Sequence, residues 1–215
     1  MKREIDLVMF DLDGTLADTG QDLASAVNYV RSYLSLEPLD DRVVYGHVGR
    51  GVEHLLRSSL PESYQERFQE VMELFLKRYE NHLLDATVLY PSVVETLDYF
   101  QKKKRVVVSN KLHRLTLSIL RGLGIEPCFD AVLGGDSAPQ KKPDPEPLHQ
   151  VLATFRVIPG KALMVGDGGT DIEAGKRAGV VTCGVTYGLG KSAELIAAKP
   201  DFLIDDLRQL TEYFC

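Results

Sequence analysis

Leu7-Val8-Met9-Phe10-Asp11-Leu12-Asp13-Gly14-Thr15 is the stretch on which the reading of the chain turns. Four apolar residues, the length of a short strand, run straight into two carboxylates spaced two apart. A Gly-Thr turn follows. The pattern predicts a buried strand over Leu7–Phe10 that carries Asp11 to its carboxyl end, the edge where open α/β sheets place their sites. Leu12 breaks regular alternation there, so Asp11 and the Asp13 region face one small volume. Two like charges that close are costly unless a cation neutralises them, usually a hard one such as Mg2+. Asp and Gly are also ordinary turn residues, so the weight of this stretch depends on what the rest of the chain brings to it.

At 215 residues the chain is one ordinary domain or a core domain with an insertion, long enough to bury a core. Its net charge of -6 supplies no global basic field to hold nucleic acid or an anionic membrane. Cys128, Cys183 and Cys215 are widely spaced and odd in number, which fits neither a zinc site nor a disulfide framework. They read as free thiols in a reducing compartment. With no signal-type apolar stretch at the N-terminus and no run of membrane-span length, the expected location is cytoplasmic.

Outward from the opening stretch the pattern falls into two regimes. Residues from about 19 to 85 read as helices only. Leu23, Ala26, Val27, Val30 and Leu34 recur at helical spacing, with Asp18 or Thr19 as a cap. Pro61 suits the first position of a second long helix with Phe68, Val71, Met72, Phe75 and Tyr79 on one core-forming face. Between them lies Val48-Gly49-Arg50-Gly51-Val52, a Gly-bearing loop entering a helix. From Pro91 strands and helices alternate. A helix ends in the basic run Lys102–Arg105, which suits a helix C-terminus. Strands are expected at 106–108, 131–133, 162–165, 180–185 and 202–204. The predicted fold class is α/β: a doubly wound parallel sheet, Rossmann-like, with an inserted helical subdomain. The expected division is 1–16 with 88–215 for the core and 17–87 for the insertion.

Three further strand-like runs end in polar groups. Val106–Val108 leads to Ser109-Asn110-Lys111, where a hydroxyl and backbone N–H groups before a helix suit an anion. Gln140-Lys141-Lys142-Pro143-Asp144-Pro145 puts two lysines in a proline-stiffened loop, able to offset a phosphate's charge. Ala162–Val165 leads to Gly166-Asp167-Gly168-Gly169-Thr170-Asp171, whose acids could complete an oxygen-rich metal shell with Asp11. Each piece is modest alone, since Ser and Asp also cap helices. Together they match what phosphoryl transfer needs: a nucleophile, a metal and fixed positive groups.

The order DLDGT, SNK, KPDP and GDGGTD resembles the four signature motifs of the haloacid-dehalogenase superfamily of phosphohydrolases, over residues 5 to about 207. The helical insertion is similar to that superfamily's cap. More narrowly, FDLDGTLADT, VGRGVEHLL, SNK, KKPDPEPL and VGDGGTDIEAG look like bacterial phosphoglycolate phosphatases. The resemblance implies Asp11 as the nucleophile that forms an aspartyl-phosphate and Asp13 as acid, then base. It implies Mg2+ on Asp11, the backbone carbonyl of Asp13 and Asp167, with Asp171 supporting or joining the shell. Ser109 and amides near Leu12 and Asn110 would hold phosphate oxygens. Lys142 rather than Lys141 would offset charge, because the family's lysine directly precedes its proline. Two positions depart from the pattern: Gly168 stands where relatives often carry Ser, and Ser109 where many carry Thr.

Arg50, between Gly49 and Gly51, and Lys111 are the candidates for contacting the rest of the substrate. His47, His54, His82, His113 and His149 show no metal-ligand spacing and read as surface or packing residues. The expected activity is a Mg2+-dependent phosphomonoesterase for a small phosphorylated metabolite, 2-phosphoglycolate first, acting as a monomer or homodimer. Inorganic pyrophosphatase and sugar-phosphate phosphatase or mutase are the rival reactions. A non-catalytic phospho-acceptor module is disfavoured, because such modules lack a large insertion after the first strand.

Overall fold

The computed structural model describes residues 2–215, apart from the side chain of Gln65. Strand β1 (Leu7–Phe10) forms where the opening stretch places it, and all four of its residues are buried. Its side chains alternate between two cores. Val8 and Phe10 join one with Val107, Leu163, Leu97, Phe100 and Ile119. Leu7 and Met9 join the other with Val106, Met164, Leu148, Val151 and Ala174. A strand buried on both faces reads as a continuous apolar run and belongs at the centre of a parallel sheet.

The sheet contains β1, β4 (Lys104–Val108), β5 (Ala131–Leu133), β6 (Ala162–Gly166), β7 (Val181–Val185) and β8 (Phe202–Ile204). The strand order is β5-β4-β1-β6-β7-β8, and every pairing is parallel. The expected doubly wound α/β class is therefore borne out. The chain leaves β1 toward β4 on one side and later returns to β6 on the other. The loops after β1, β4 and β6 thus open a crevice at the carboxyl ends of the three central strands.

Between β1 and β4 the chain first crosses β2 (Ala17–Asp18), then four helices: α1 (Gly20–Tyr33), α2 (Asp41–Tyr45), α3 (Val52–Ser59) and α4 (Phe68–Asn81). It returns through β3 (Val88–Leu89), which pairs antiparallel with β2. Departure and return therefore run side by side. Asp22, buried on α1, reinforces the return by accepting hydrogen bonds from the Ala86 and Thr87 amides and the Thr87 hydroxyl. Asp22→Ala strands these donors and is expected to destabilise the protein by about 2–4 kcal/mol, read from urea unfolding. A loss below about 0.5 kcal/mol would show that the return segment is held otherwise.

The remaining helices are α5 (Val93–Tyr99), α6 (His113–Gly122), α7 (Glu146–Phe155), α8 (Gly169–Ala178), α9 (Ser192–Ala197) and α10 (Leu210–Tyr213). Two expectations need correction. Pro61 precedes a 3₁₀ turn over Glu62–Arg67, and the α-helix begins only at Phe68. The basic run does not end a helix: α5 stops at Tyr99, and Lys104 and Arg105 open β4. There Lys104 Nζ reaches Asp130 Oδ1 at 2.7 Å, and Arg105 donates to the Leu97 carbonyl. Their charges occupy the solvent-facing start of a strand whose apolar end is buried. The short helices α2 and α9 had no strong periodicity in the sequence.

Candidate active site

The acids, the hydroxyl and the lysine expected at strand ends converge in the crevice. Asp11 follows β1, Ser109 follows β4, and Asp167 follows β6; all three are buried. Two glycines make the approach possible. Gly14 has φ +80°, and a Cβ there would collide with the Asp167 carboxylate. A Cβ on Gly166 would collide with the Asp171 side chain. At Gly14 only glycine tolerates both the backbone and the closeness, and at Gly166 the closeness alone requires it.

Lys142 is the cation at the centre. Its Nζ lies 3.1 Å from Asp11 Oδ1 and 2.6 Å from Asp171 Oδ1, and donates to the Val108 carbonyl at 2.5 Å. Burial disfavours its charge, but Asp11 and Asp171 more than compensate and hold it above the usual lysine range. Lys141, by contrast, is exposed. Asp171 caps the helix, as one of its two expected roles requires: Oδ2 accepts from the Gly168 amide at the start of α8, while Oδ1 holds Lys142, a contact the sequence did not suggest.

Carboxylate oxygens of Asp11, Asp167 and Asp171 lie within 4.8 Å of one another, all buried. Burial, opposed by Lys142 and reinforced by the charges of Asp171 and Asp13, pushes Asp11 up to about 7. Burial, then the charges of Asp11 and Asp171, raise Asp167 well above the usual carboxylate range. Hard oxygen donors whose charges repel one another in a buried space fit a divalent cation.

Asp13 faces a different set of partners. Its Oδ1 accepts from Thr19 Oγ1 at 2.5 Å and pairs with Lys111 Nζ at 2.6 Å. Lys111 also donates to the Tyr79 hydroxyl at 2.7 Å. Thr19 therefore does not cap α1 through its side chain; it reaches back to Asp13. Tyr79, which the helical periodicity assigns to the core, is buried but turns its hydroxyl into the site. The available clue was chemical, since a buried tyrosine oxygen needs a partner.

The remaining candidates take separate positions. The Leu12 amide donates to Asp11 Oδ1 at 2.7 Å. Ser109 Oγ accepts from the Lys111 amide. Asn110 Nδ2 donates to the carbonyls of Gly49 and Lys142, tying the 48–51 loop to the core. Arg50 sits on the rim with its side chain 54% exposed and pairs with Glu194 on α9 at 3.4 Å. His47 and His54 meet edge to face at 6.5 Å and border, with Arg50 and Lys191, an outer cavity of about 270 Å³ that reaches Asp13 and Asp167. An inner cavity of about 40 Å³ lies between Asp11, Asp13, Ser109 and Lys111 on one side and Leu23, Val48, Val52, Leu55, Phe75 and Tyr79 on the other.

Comparison with known proteins gives the family of the chain. The profile of the haloacid dehalogenase-like hydrolase family matches residues 8–185. A phosphoglycolate phosphatase of Pseudomonas putida is 38% identical, covering 95% of this chain and 78% of that protein. One from Aquifex aeolicus is 39% identical over 92% of this chain and 91% of that protein. The crystal structure of a Haemophilus somnus 129pt protein, described as a predicted phosphoglycolate phosphatase, superposes with a TM-score of 0.92 at 31% identity, covering 97% of both chains. Among the described residues no helix is long and apolar enough to cross a membrane. With a family match spanning most of the chain and relatives of this identity over nearly its full length, the protein belongs to the haloacid dehalogenase-like hydrolase family.

Proposed function

We propose that this protein is a Mg2+-dependent phosphomonoesterase whose substrate is 2-phosphoglycolate, with residues 17–87 acting as a cap over a core of 1–16 and 88–215. The observation that carries the reading is the convergence of Asp11, Ser109 and Asp167 at three adjacent strand ends with Lys142 from the loop before α7 and Asp171 from α8, and with Asp13 beside them. The names of the relatives support the substrate.

In this reading Asp11 attacks phosphorus and forms an acyl phosphate as the P–O bond to the organic group breaks. Asp13 gives its proton to the departing oxygen. It then takes a proton from the water that opens the acyl phosphate, returning Asp11 and releasing inorganic phosphate. A carboxylate needs no base to activate it, but it must approach an anion. Lys142, touching Asp11, offsets that repulsion, and the Ser109 hydroxyl with amides near Leu12 and Asn110 hold the phosphoryl oxygens. Asp11, Asp167, Asp171 and the Asp13 carbonyl would hold Mg2+, which supplies further charge neutralisation. The Leu12 amide, which donates to Asp11, also orients that carboxylate. The cap excludes bulk water and shapes the space for the leaving group.

The test is a kcat/KM panel of 2-phosphoglycolate, glucose 6-phosphate, a nucleoside monophosphate and pyrophosphate. The expected order puts 2-phosphoglycolate first by at least about tenfold. Pyrophosphate first, or turnover confined to a sugar phosphate, would overturn the assignment.

A further inference from the structure

The inner cavity has an unusual wall. Leu23, Val48, Val52, Leu55 and Phe75 line it from the helical segment, and among the described residues bordering it Lys111 is the one cation. Lys111 is 8% exposed. Its ammonium carries three N–H donors, and among the described residues two are engaged, on Asp13 Oδ1 and the Tyr79 hydroxyl. The ammonium also lies 4.8 Å from the centre of the Tyr79 ring. Arg50, the other candidate, does not border this cavity; it lies on the rim of the outer one, half-exposed and paired with Glu194.

A buried ammonium with a spare donor beside an apolar wall is matched by a short ligand with a small hydrocarbon part and an anionic end. Neutral polyols would leave hydroxyls unpaired against the leucines and Phe75. A bare alkyl group would leave the third N–H of Lys111 without an acceptor. We infer that Lys111, held by Tyr79 from α4, receives the carboxylate of the leaving group and so selects short phosphorylated acids. This rests on the phosphomonoesterase reading and deepens it: it moves recognition of the carboxylate from the rim at Arg50 to the buried pair Lys111–Tyr79. Because Tyr79 belongs to the insertion and Lys111 to the core, the receiving group is complete only when the two are packed together. Asp13, sharing Lys111, then stands next to the bond that breaks.

The test compares 2-phosphoglycolate with ethyl phosphate, which differs chiefly in lacking the carboxylate. In the wild-type protein kcat/KM is expected to favour 2-phosphoglycolate by about 100-fold or more. In Lys111→Met that ratio should fall by at least about 30-fold, through KM for 2-phosphoglycolate. Both substrates will be slowed to some degree, because Asp13 loses a partner, so the ratio is the readout. Tyr79→Phe keeps the ring and removes only the hydroxyl; its ratio should fall about 3- to 10-fold, and it serves if Lys111→Met does not fold. Arg50→Ala is expected to change the ratio less than Tyr79→Phe does. A ratio unchanged within threefold in the Lys111 and Tyr79 variants would overturn the inference and leave Lys111 as a positioning residue for Asp13. A wild-type ratio near one would overturn it while leaving the phosphomonoesterase reading intact. Absence of turnover on every phosphomonoester would overturn both.

Discussion

Asp11→Asn is expected to lower phosphatase turnover by on the order of 10⁴-fold or more, the scale seen when a covalent nucleophile is removed, while leaving the fold intact. An amide oxygen is too weak a nucleophile to attack phosphorus, and no neighbouring acid is placed to replace it. Asp13 is engaged with Thr19 and Lys111, and Asp171 with Lys142 and the Gly168 amide. The fold should not suffer. Asparagine has nearly the same shape, and Lys142 retains Asp171 and the Val108 carbonyl. Burial with Asp171 and Asp13 nearby makes the ionised Asp11 unfavourable, which is why its pKa rises to about 7. At pH 8 in the absence of metal the variant should therefore melt higher than the wild type, by roughly 2–4 °C for each kcal/mol of repulsion relieved. Turnover within tenfold of wild type, with either 2-phosphoglycolate or p-nitrophenyl phosphate, would remove Asp11 from the nucleophile's role.

Chelating divalent metal should abolish turnover, and the stability change that accompanies it should depend on pH. Asp11 and Asp167 both have folded-state pKa values above the ordinary carboxylate range. For an acid shifted in that direction, the native state binds more protons than the unfolded state across the interval between the two values. The metal-free protein thus loses stability as pH rises from about 4 through about 7, and the loss from Asp11 is complete above that. A cation binds the ionised carboxylates, so its stabilising effect grows over the same window. Added Mg2+ at a hundredfold excess over Kd should contribute about 2.7 kcal/mol at pH 8 and much less at pH 5 at the same concentration. Melting curves at both pH values, with and without Mg2+, read this directly. Equal shifts at pH 5 and pH 8 would place the metal elsewhere, and chelator-resistant turnover would remove it from the reaction.

Much of the site was readable because its residues end strands. Asp11 follows Leu7–Phe10, Ser109 follows Val106–Val108, and Asp167 follows Ala162–Gly166. A short buried strand of a parallel sheet has an unambiguous apolar signature, and the residue after it falls on the ligand-binding edge. The preference for Lys142 over Lys141 rested on a family likeness, and the burial of one with the exposure of the other agrees with it. Thr19 and Tyr79 were harder. Threonine before a helix looks like a cap in any sequence, and tyrosine at core spacing looks like core. Their actual partners, Asp13 and Lys111, lie 6 and 32 residues away along the chain. No local pattern distinguishes a hydroxyl satisfied by its own helix from one satisfied across a crevice. The misreading of Lys104 and Arg105 has a related origin. A charged pair suits a helix end and a strand start equally, and only the register Leu7↔Lys104 and Val8↔Arg105 decides between them.

Local patterns along the chain were enough to set the class of fold and the chemical inventory. Apolar runs of strand length alternating with amphipathic helices require a parallel sheet covered on both faces, and acids, a hydroxyl and a lysine behind those runs must emerge on one edge. Tertiary structure decided how that inventory is divided. Packing, not spacing, sets Lys142 between Asp11 and Asp171 and gives Lys111 to Asp13 and Tyr79. It also turns Arg50 outward to Glu194. The physical reason is range. Secondary structure follows from neighbours within a turn or two of chain. Which charge faces which across a buried space depends on the sum of burial, repulsion and contact from elements far apart in sequence.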